Sequence, residues 1–322
     1  MSEIDHVWEL CGLRAFDFPY HDLQVAAQLG DVQELPAAES VAWRINLDYC
    51  VCHPQSWADI FAQFLDIVDP TQVRALIVGV WSEDCEAGPD VVIDALVAAR
   101  RRLPALRGLF LGDIVPEECE LSWITQGPVT ELLEAFPELE EFGVRGGENL
   151  AFPAVRHVRL RELTVETCGI PVDAVRGIAA SDLPALNHLD LWLGPGYDDV
   201  TDLAPIFAGI RLPNLTYLAL RNSEIHDDIC AALASAPVVS RLKFLSISLG
   251  VLTDDGAAAL LAGQPLGHLE FLDLQYNYLS DEMRDRLQQA LEPEGVNLLL
   301  YAEHDEDEDE AGEFSRYVAV GE

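Results

Sequence analysis

The pattern L-x-x-L-x-L recurs along this chain and constrains its fold more than any other feature. Clear copies start at Leu160, Leu186, Leu215, Leu242 and Leu269, and degenerate copies start at Ala42, Val73, Leu106 and Leu139. The start-to-start distances run from 21 to 33 residues. Chance could supply one or two copies, but not nine in nearly regular register, so the chain is built from an internal repeat.

Each repeat contains the parts of a strand, a turn and a helix. The apolar residues at the fourth and sixth positions point to the same side of a short strand, because side chains alternate in an extended chain. Between the copies lie helical segments: DVVIDALVAARR, VTELLEAF, VTDLAPIFAGI, DDICAALASA, DDGAAALLAG and DEMRDRLQQAL. One such unit cannot bury its apolar face alone, whereas a stack of units can. The sequence predicts an α/β leucine-rich-repeat solenoid of about nine repeats. We expect a horseshoe of the ribonuclease-inhibitor type, with a parallel sheet on its concave side and helices on its convex side.

The repeat also divides the chain into three segments. Residues 1–40 are predicted to be an N-terminal cap and linker, residues 41–292 the repeat domain, and residues 293–322 a C-terminal acidic tail. The tail contains AEHDEDEDEAGE, a block of like charge that is typical of a solvated segment. The following EFSRYVAV is apolar enough to dock onto the domain. At the ninth repeat position stand Asn277, Cys168 and Cys50, which we predict to be structural residues of the turn.

The charge of the chain narrows the class of partner. Lys and Arg number 19 against 56 Asp and Glu, a formal net charge of −37. Such a field repels nucleic acid and anionic membranes and favours a partner with a basic surface, although solubility alone would also explain it. MSEIDHVWEL lacks the basic start of a signal peptide, and no apolar run reaches the ~18 residues of a membrane span. Seven scattered cysteines indicate reduced thiols. We therefore expect a cytoplasmic protein.

Three short motifs resemble metal or phosphate sites, but each lacks residues that such a site requires. CVCHP, from Cys50 to Pro54, has two thiols and an imidazole but no second cysteine pair to complete a zinc site. The glycines of VRGGEN precede no clear helix and no Lys-Ser/Thr, as a phosphate loop would require. The acidic tail lacks the glycine and the ligand spacing of an EF-hand loop. The sequence predicts no cofactor, no metal ligands and no catalytic residues.

Longer strings carry a resemblance that spans nearly the whole chain. They include FDFP, VAWRI, VRALIVG, LGDIVPEECELSWI, AFPELEEFGVRGG, FPAVRHVRLRELTVET, LALRNSEIHDDICAA and RYVAV. With them the chain resembles uncharacterised bacterial leucine-rich-repeat proteins, frequent in actinobacteria and also seen in enterobacteria. Genes of this family often lie beside radical-SAM, ATP-grasp and phosphatase-like genes. The resemblance implies an accessory role in an enzymatic pathway and supplies no catalytic residues.

Side chains at positions three, five and seven of each repeat are expected on the concave face, where equivalent residues form columns. For the first copy this assignment places Arg44, Asn46 and Asp48 in the three columns. Near the C-terminus the columns contain aromatic and polar residues, which are typical of interaction hot spots. We predict a non-enzymatic interaction module that binds a protein or peptide through Trp192, Tyr217, Arg221, Phe244, Phe271, Asp273, Gln275 and Tyr276.

Three alternatives remain open at this point. A C-terminal cap could cover the aromatic residues and make them a second small core. The partner could instead contact the convex helices. In the third alternative Glu162, Glu166, His188 and Asp190, on two adjacent strands, form a metal-dependent or acid–base enzyme site, although their spacing is not diagnostic.

Overall fold

The computed structural model describes residues 4–19, 35–47, 55–83, 87–301, 307–308 and 314–321. Cys50, the CVCHP motif and most of the acidic run lie outside these residues. The chain divides into two compact units, an N-terminal unit of residues 4–151 and a C-terminal unit that begins at Phe152. Both units have the predicted leucine-rich-repeat architecture, in which short parallel strands alternate with helices. In the described part of the chain, no helix combines the length and apolar character needed to cross a bilayer.

The N-terminal unit contains six strands that follow one another across its sheet in chain order. They are β1 (Glu9–Leu10), β2 (Leu13–Asp17), β3 (Ala42–Ile45), β4 (Ala75–Val78), β5 (Gly108–Leu111) and β6 (Glu141–Arg145). β1 and β2 form an antiparallel hairpin, and every later pair is parallel. The helices of this unit are α1 (Trp57–Ile67), α2 (Asp90–Ala99) and α3 (Thr130–Ala135).

The C-terminal unit has six parallel strands, again in chain order. They are β7 (Glu162–Glu166), β8 (His188–Gly194), β9 (Tyr217–Ser223), β10 (Phe244–Ser246), β11 (Phe271–Asp273) and β12 (Asn297–Leu299). Its helices are α4 (Val172–Ala180), α5 (Ala204–Ala208), α6 (His226–Leu233), α7 (Asp254–Ala262) and α8 (Asp281–Leu291). A short antiparallel pair follows, β13 (Asp307–Glu308) with β14 (Phe314–Ser315).

The nine predicted strands are confirmed as β3 to β11, and the six predicted helical segments correspond to α2, α3, α5, α6, α7 and α8. The register predicted for the first repeat is wrong. Ala42 pairs with Ala75 and Arg44 pairs with Ile77, so Arg44 belongs to the fifth column rather than the third. A shift of two residues leaves the inward and outward alternation unchanged, and the hydrophobic pattern therefore does not distinguish the two registers.

Leucines of the repeat form the core of the C-terminal unit. The fourth-position residues Leu163, Leu189, Leu218, Leu245 and Leu272 are all fully buried. Each such side chain contributes about 1.5–3 kcal/mol when it leaves water, so the core stabilises the unit only as a stack.

Asn277 joins two successive turns by hydrogen bonds, in agreement with the structural role predicted for the ninth repeat position. Its Nδ2 atom donates to the carbonyl oxygen of Ile247 at 2.6 Å, and its Oδ1 atom accepts from the amide of Leu252 at 3.0 Å. Cys168, at the same repeat position, is also buried. The imidazole of His226 is fully buried beside Asn277, with Nδ1 3.3 Å from the Asn277 Oδ1 atom and Nε2 3.0 Å from the Leu220 carbonyl oxygen.

In the N-terminal unit, the β1–β2 hairpin covers the sheet face that carries the third- and fifth-column side chains. Leu10 packs in one buried cluster with Ala42, Ala75, Ile77 and Phe110. Gly108 permits this contact, because a Cβ atom there would lie 2.8 Å from the Leu10 Cγ atom.

A buried ion-pair network holds the segment that precedes the hairpin. Asp113 is fully buried, and its carboxylate accepts from Arg44 Nε at 2.6 Å and from the Val7 amide at 2.8 Å. Arg145 Nη1 lies 3.5 Å from the same carboxylate, and Arg145 Nη2 donates to the Asp5 carbonyl at 3.0 Å. The unit thus covers its own sheet face with residues from the start of the chain.

Replacement of Gly177 tests the packing of α4. A Cβ atom at Gly177 would lie 1.7 Å from the Phe152 carbonyl oxygen, whereas one at Gly169 would meet only the Pro195 oxygen, at 3.7 Å. Alanine gains about 1 kcal/mol of helix propensity over glycine. We expect the backbone clash to outweigh this gain, so that Gly177→Ala loses about 3 kcal/mol of unfolding free energy in urea titrations. The matched Gly169→Ala should change it by about 0.5 kcal/mol or less. Equal stability of the two variants would contradict the packing described.

Acid titration tests the buried histidine. Burial lowers the pKa of His226 from 6.5 to about 4. The unfolded chain therefore binds a proton at this residue between those values while the folded chain does not, and stability falls as pH falls below 6.5. We expect His226 to account for about 2 kcal/mol of the loss in unfolding free energy between pH 7 and pH 5. His226→Gln should reduce the pH dependence by that amount. An unchanged pH dependence would show that the imidazole titrates normally.

Candidate functional site

Four rings form a continuous row on the sheet face of the C-terminal unit. His188, Tyr217, Phe244 and Phe271 occupy the same register position on β8, β9, β10 and β11. The ring centroids are 3.6 Å apart between His188 and Tyr217, 4.2 Å between Tyr217 and Phe244, and 6.0 Å between Phe244 and Phe271. The rings of the first two pairs are nearly parallel and stacked, an arrangement that the spacing of about 4.8 Å between neighbouring strands favours. We call these four residues the aromatic row.

The aromatic row is open at the β11 end. Phe271 is 41% exposed and Phe244 is partly exposed. Strand β12 extends the apolar surface with Leu299, and Tyr301, just after β12, is 56% exposed. Tyr276 meets the Tyr301 ring edge-to-face at 5.7 Å. Sequence reasoning missed Leu299 and Tyr301, because NLLLY lacks the repeat pattern and follows the last predicted helix.

Beside the aromatic row, the next column contains Asp190, Ala219, Ser246 and Asp273, with one carboxylate at each end. Asp273 is buried and well bonded. Its Oδ2 atom accepts from the Ser246 hydroxyl at 2.8 Å, and its Oδ1 atom accepts from the Gln275 amide at 3.1 Å. The predicted polar residues Asp273 and Gln275 thus hold each other in place.

Arg221 connects the aromatic row to Asp190. Its Nη2 atom donates to the Tyr217 hydroxyl at 2.8 Å and lies 3.3 Å from Asp190 Oδ2. Burial raises the pKa of Asp190 to about 6, and the Arg221 guanidinium opposes that rise. Sequence reasoning placed Arg221 in the binding surface and Asp190 in the enzyme alternative, so it missed this pair.

Trp192 adds a third polar side chain to the corner of the sheet that contains Asp190 and Arg221. Asp190 Oδ1, Arg221 Nε and Trp192 Nε1 are buried and reach hydrogen-bond geometry with no other described atom. Trp192 lies next to Arg221 in the register, and its indole N–H is near enough to Asp190 to lower the carboxyl pKa. The Trp192 N–H and the Arg221 guanidinium therefore both stabilise the ionised form of the buried Asp190 carboxyl.

The structure places the residues of the enzyme alternative on two neighbouring strands, where Glu162 pairs with His188 in the register, but their side chains take part in different contacts. The His188 ring stacks on Tyr217, whereas the Asp190 carboxylate pairs with Arg221. Burial and the nearby Arg221 lower the pKa of His188 to about 4, so its ring is neutral at pH 7. Among the residues that the structure describes, no three His, Cys, Asp or Glu side chains are grouped to hold a metal ion. The described residues thus form no metal-ligand group, and an acid–base role for Glu162, Glu166, His188 and Asp190 stays the alternative hypothesis.

The described end of the tail does not form the cap that the first alternative requires. Residues 317–320 contact Asn222, near the end of β9, and Leu249 and Tyr278, which follow β10 and β11, rather than the aromatic row. The eight predicted binding residues all lie on or just after β8, β9, β10 and β11. Their role in binding a partner stays a prediction.

Comparison with known proteins supports the fold. The Leucine Rich repeat family matches residues 211–234, which contain the end of one repeat and the strand β9. A crystal structure of a Bacteroides fragilis protein is similar, with 26% sequence identity and a TM-score of 0.74. The match covers 94% of this chain and 85% of that one. No protein of curated function matches the sequence. These similarities support a bacterial chain of the leucine-rich-repeat type.

Removal of one cation tests the electrostatics of the site. Arg221→Met leaves the Asp190 carboxylate buried without its partner, so we expect a loss of about 3 kcal/mol of unfolding free energy at pH 7. The pKa of Asp190 should rise further, and the loss should shrink at pH 5, where the carboxyl is protonated. Lys243→Met removes an exposed pair with Glu270 and should leave the stability nearly unchanged. Equal effects of the two substitutions in urea titrations would contradict a structural Asp190–Arg221 pair.

Proposed function

We propose that this protein is a non-enzymatic interaction module that binds a protein or peptide on the sheet face of its C-terminal unit. The observation that carries the proposal is the contrast between the two sheet faces. The N-terminal unit fills its face with the β1–β2 hairpin, whereas the aromatic row and the neighbouring Tyr301 stay accessible. Exposed apolar patches rimmed by polar groups mark interaction surfaces.

The composition of the surface fits a binding hot spot. Aromatic side chains and arginine contribute most to protein interfaces, especially where surrounding groups exclude water. Tyr217 and Arg221 hold each other through a hydrogen bond, so their conformations are fixed before a partner arrives. A preorganised surface loses less side-chain entropy on binding.

The charge of the surface favours a basic partner. The buried carboxylates of Asp190 and Asp273 stand at the two ends of the column beside the aromatic row, and the charge of Glu166 also acts on Asp190. A lysine or arginine of the partner would lie against the exposed Phe271 ring and near Asp273, an arrangement that cation–π attraction stabilises. The net charge of −37 would speed its approach, and the affinity would fall as salt is added. The role we infer is accessory to a bacterial enzymatic pathway in the cytoplasm.

Affinity purification with quantitative mass spectrometry tests this proposal. Tagged wild type is compared with Phe244→Ala/Phe271→Ala, which removes the open end of the aromatic row. The matched control is Ile210→Ala, because Ile210 is 84% exposed and lies just after α5, outside the sheet. We expect one basic partner that is enriched with wild type and the control, lost from the double variant by about tenfold or more, and weakened in 0.5 M salt.

Two results would contradict the proposal. A partner retained by Phe244→Ala/Phe271→Ala, shown by circular dichroism to be folded, would move the interface away from the aromatic row. Loss of a measurable activity in Glu162→Ala/His188→Ala would favour the enzyme alternative.

A further inference from the structure

The described end of the chain returns to the C-terminal unit and lies across three successive turns. These turns lie where β9, β10 and β11 end and contain Asn222, Leu249 and Tyr276, whose φ angles are positive at 53°, 65° and 53°. The amide of each turn residue donates to the next turn: Asn222 to Ser248, Leu249 to Gln275, and Tyr276 to Tyr301. The turns therefore form a regular ledge at the carboxyl ends of the strands, and the residues of this ledge that face the end of the chain are Asn222, Leu249 and Tyr278.

Main-chain groups of Tyr317, Ala319 and Val320 are hydrogen-bonded to this ledge. Asn222 Nδ2 donates to the Val320 carbonyl at 2.7 Å, and Asn222 Oδ1 accepts from the Val320 amide at 3.0 Å. The Ala319 amide donates to the Leu249 carbonyl at 3.0 Å. The Tyr278 hydroxyl accepts from the Tyr317 amide at 2.9 Å. Because the Asn222 side chain is fully buried, its amide is a fixed fork that recognises a peptide group rather than a particular side chain.

The side chains of the segment alternate as they do in a bound extended peptide. Val318 and Val320 are buried, whereas Tyr317 is exposed and Ala319 is only half-buried. Arg316 places its guanidinium over the Tyr278 ring at 5.6 Å. Main-chain bonds that give affinity, together with pockets for alternate side chains that give selectivity, are the usual means of recognising an extended peptide.

The segment is joined to the unit by an acidic connection. Eight of the twelve residues from 302 to 313 are Asp or Glu. This covalent connection maintains the segment at an effective concentration on the order of millimolar beside the ledge. A segment of the same kind that arrives from outside must compete with this tethered copy.

We propose that the ledge formed by Asn222, Leu249 and Tyr278 is a second peptide-binding site, independent of the aromatic row. It takes an extended segment with small β-branched side chains at alternate positions. The chain's own residues 316–321 occupy it, and the same segment supplied in trans binds there once the tethered copy is released.

Fluorescence anisotropy with a labelled peptide tests the site. The peptide FSRYVAVGE reproduces residues 314–322. In the full-length chain, Val318→Asp/Val320→Asp places charges in both pockets and releases the tethered copy. We expect the peptide to bind this variant at least about tenfold more tightly than wild type, in which the tethered copy competes. A peptide that carries V318D and V320D should not bind either protein.

A substitution of Asn222 tests whether the ledge itself binds the peptide. Asn222→Gly keeps the positive φ but removes the amide fork, so in the released variant it should weaken peptide binding by about tenfold. Phe244→Ala/Phe271→Ala in the same background should leave peptide binding unchanged, which separates this site from the proposed function. The inference is overturned if the folded, released variant binds no more peptide than wild type, or if the charged peptide binds as well as the native one.

Discussion

The stack depends on one constraint, namely that no single repeat can bury its own leucines. The fourth-position leucines of β7 to β11 are buried only because neighbouring repeats cover them. This requirement sets the strands parallel and in register, and it leaves every second side chain on the opposite face of the sheet. The aromatic row follows directly, because ring-bearing residues recur at the same repeat position on four successive strands.

The two units differ in what covers the sheet face opposite the leucines. In the N-terminal unit, Gly108 leaves room for Leu10, and the buried Asp113 carboxylate binds Arg44 and the start of the chain. A buried carboxylate with several donors is costly to break, so this cover is part of the fold. In the C-terminal unit the corresponding face presents rings and a partly satisfied charge pair, while the end of the chain lies on the turns instead. The sheet face of the N-terminal unit is thus covered by the chain itself, whereas that of the C-terminal unit is exposed to a partner.

Sequence reasoning predicted the features that depend on periodicity. The nine strands, most helices and the alignment of Tyr217 with Phe244 and Phe271 all follow from it. It did not predict the features that periodicity leaves undetermined. A two-residue shift in the first repeat preserves the alternation, and β12 lacks the leucine pattern. The Asp190–Arg221 pair and the bonds from Asn222 to Val320 depend on side-chain conformations and distant chain segments, which no local pattern encodes.

The central claim is that a partner contacts the open end of the aromatic row. Site-specific photo-crosslinking measures that contact directly, with a photoreactive phenylalanine analogue placed at Phe271 or, as the control, at Ile210. We expect a crosslinked protein at Phe271 that is absent at Ile210 and that diminishes as salt is added, because the contact is both aromatic and electrostatic. No specific product at Phe271, or the same product at both positions, would contradict it.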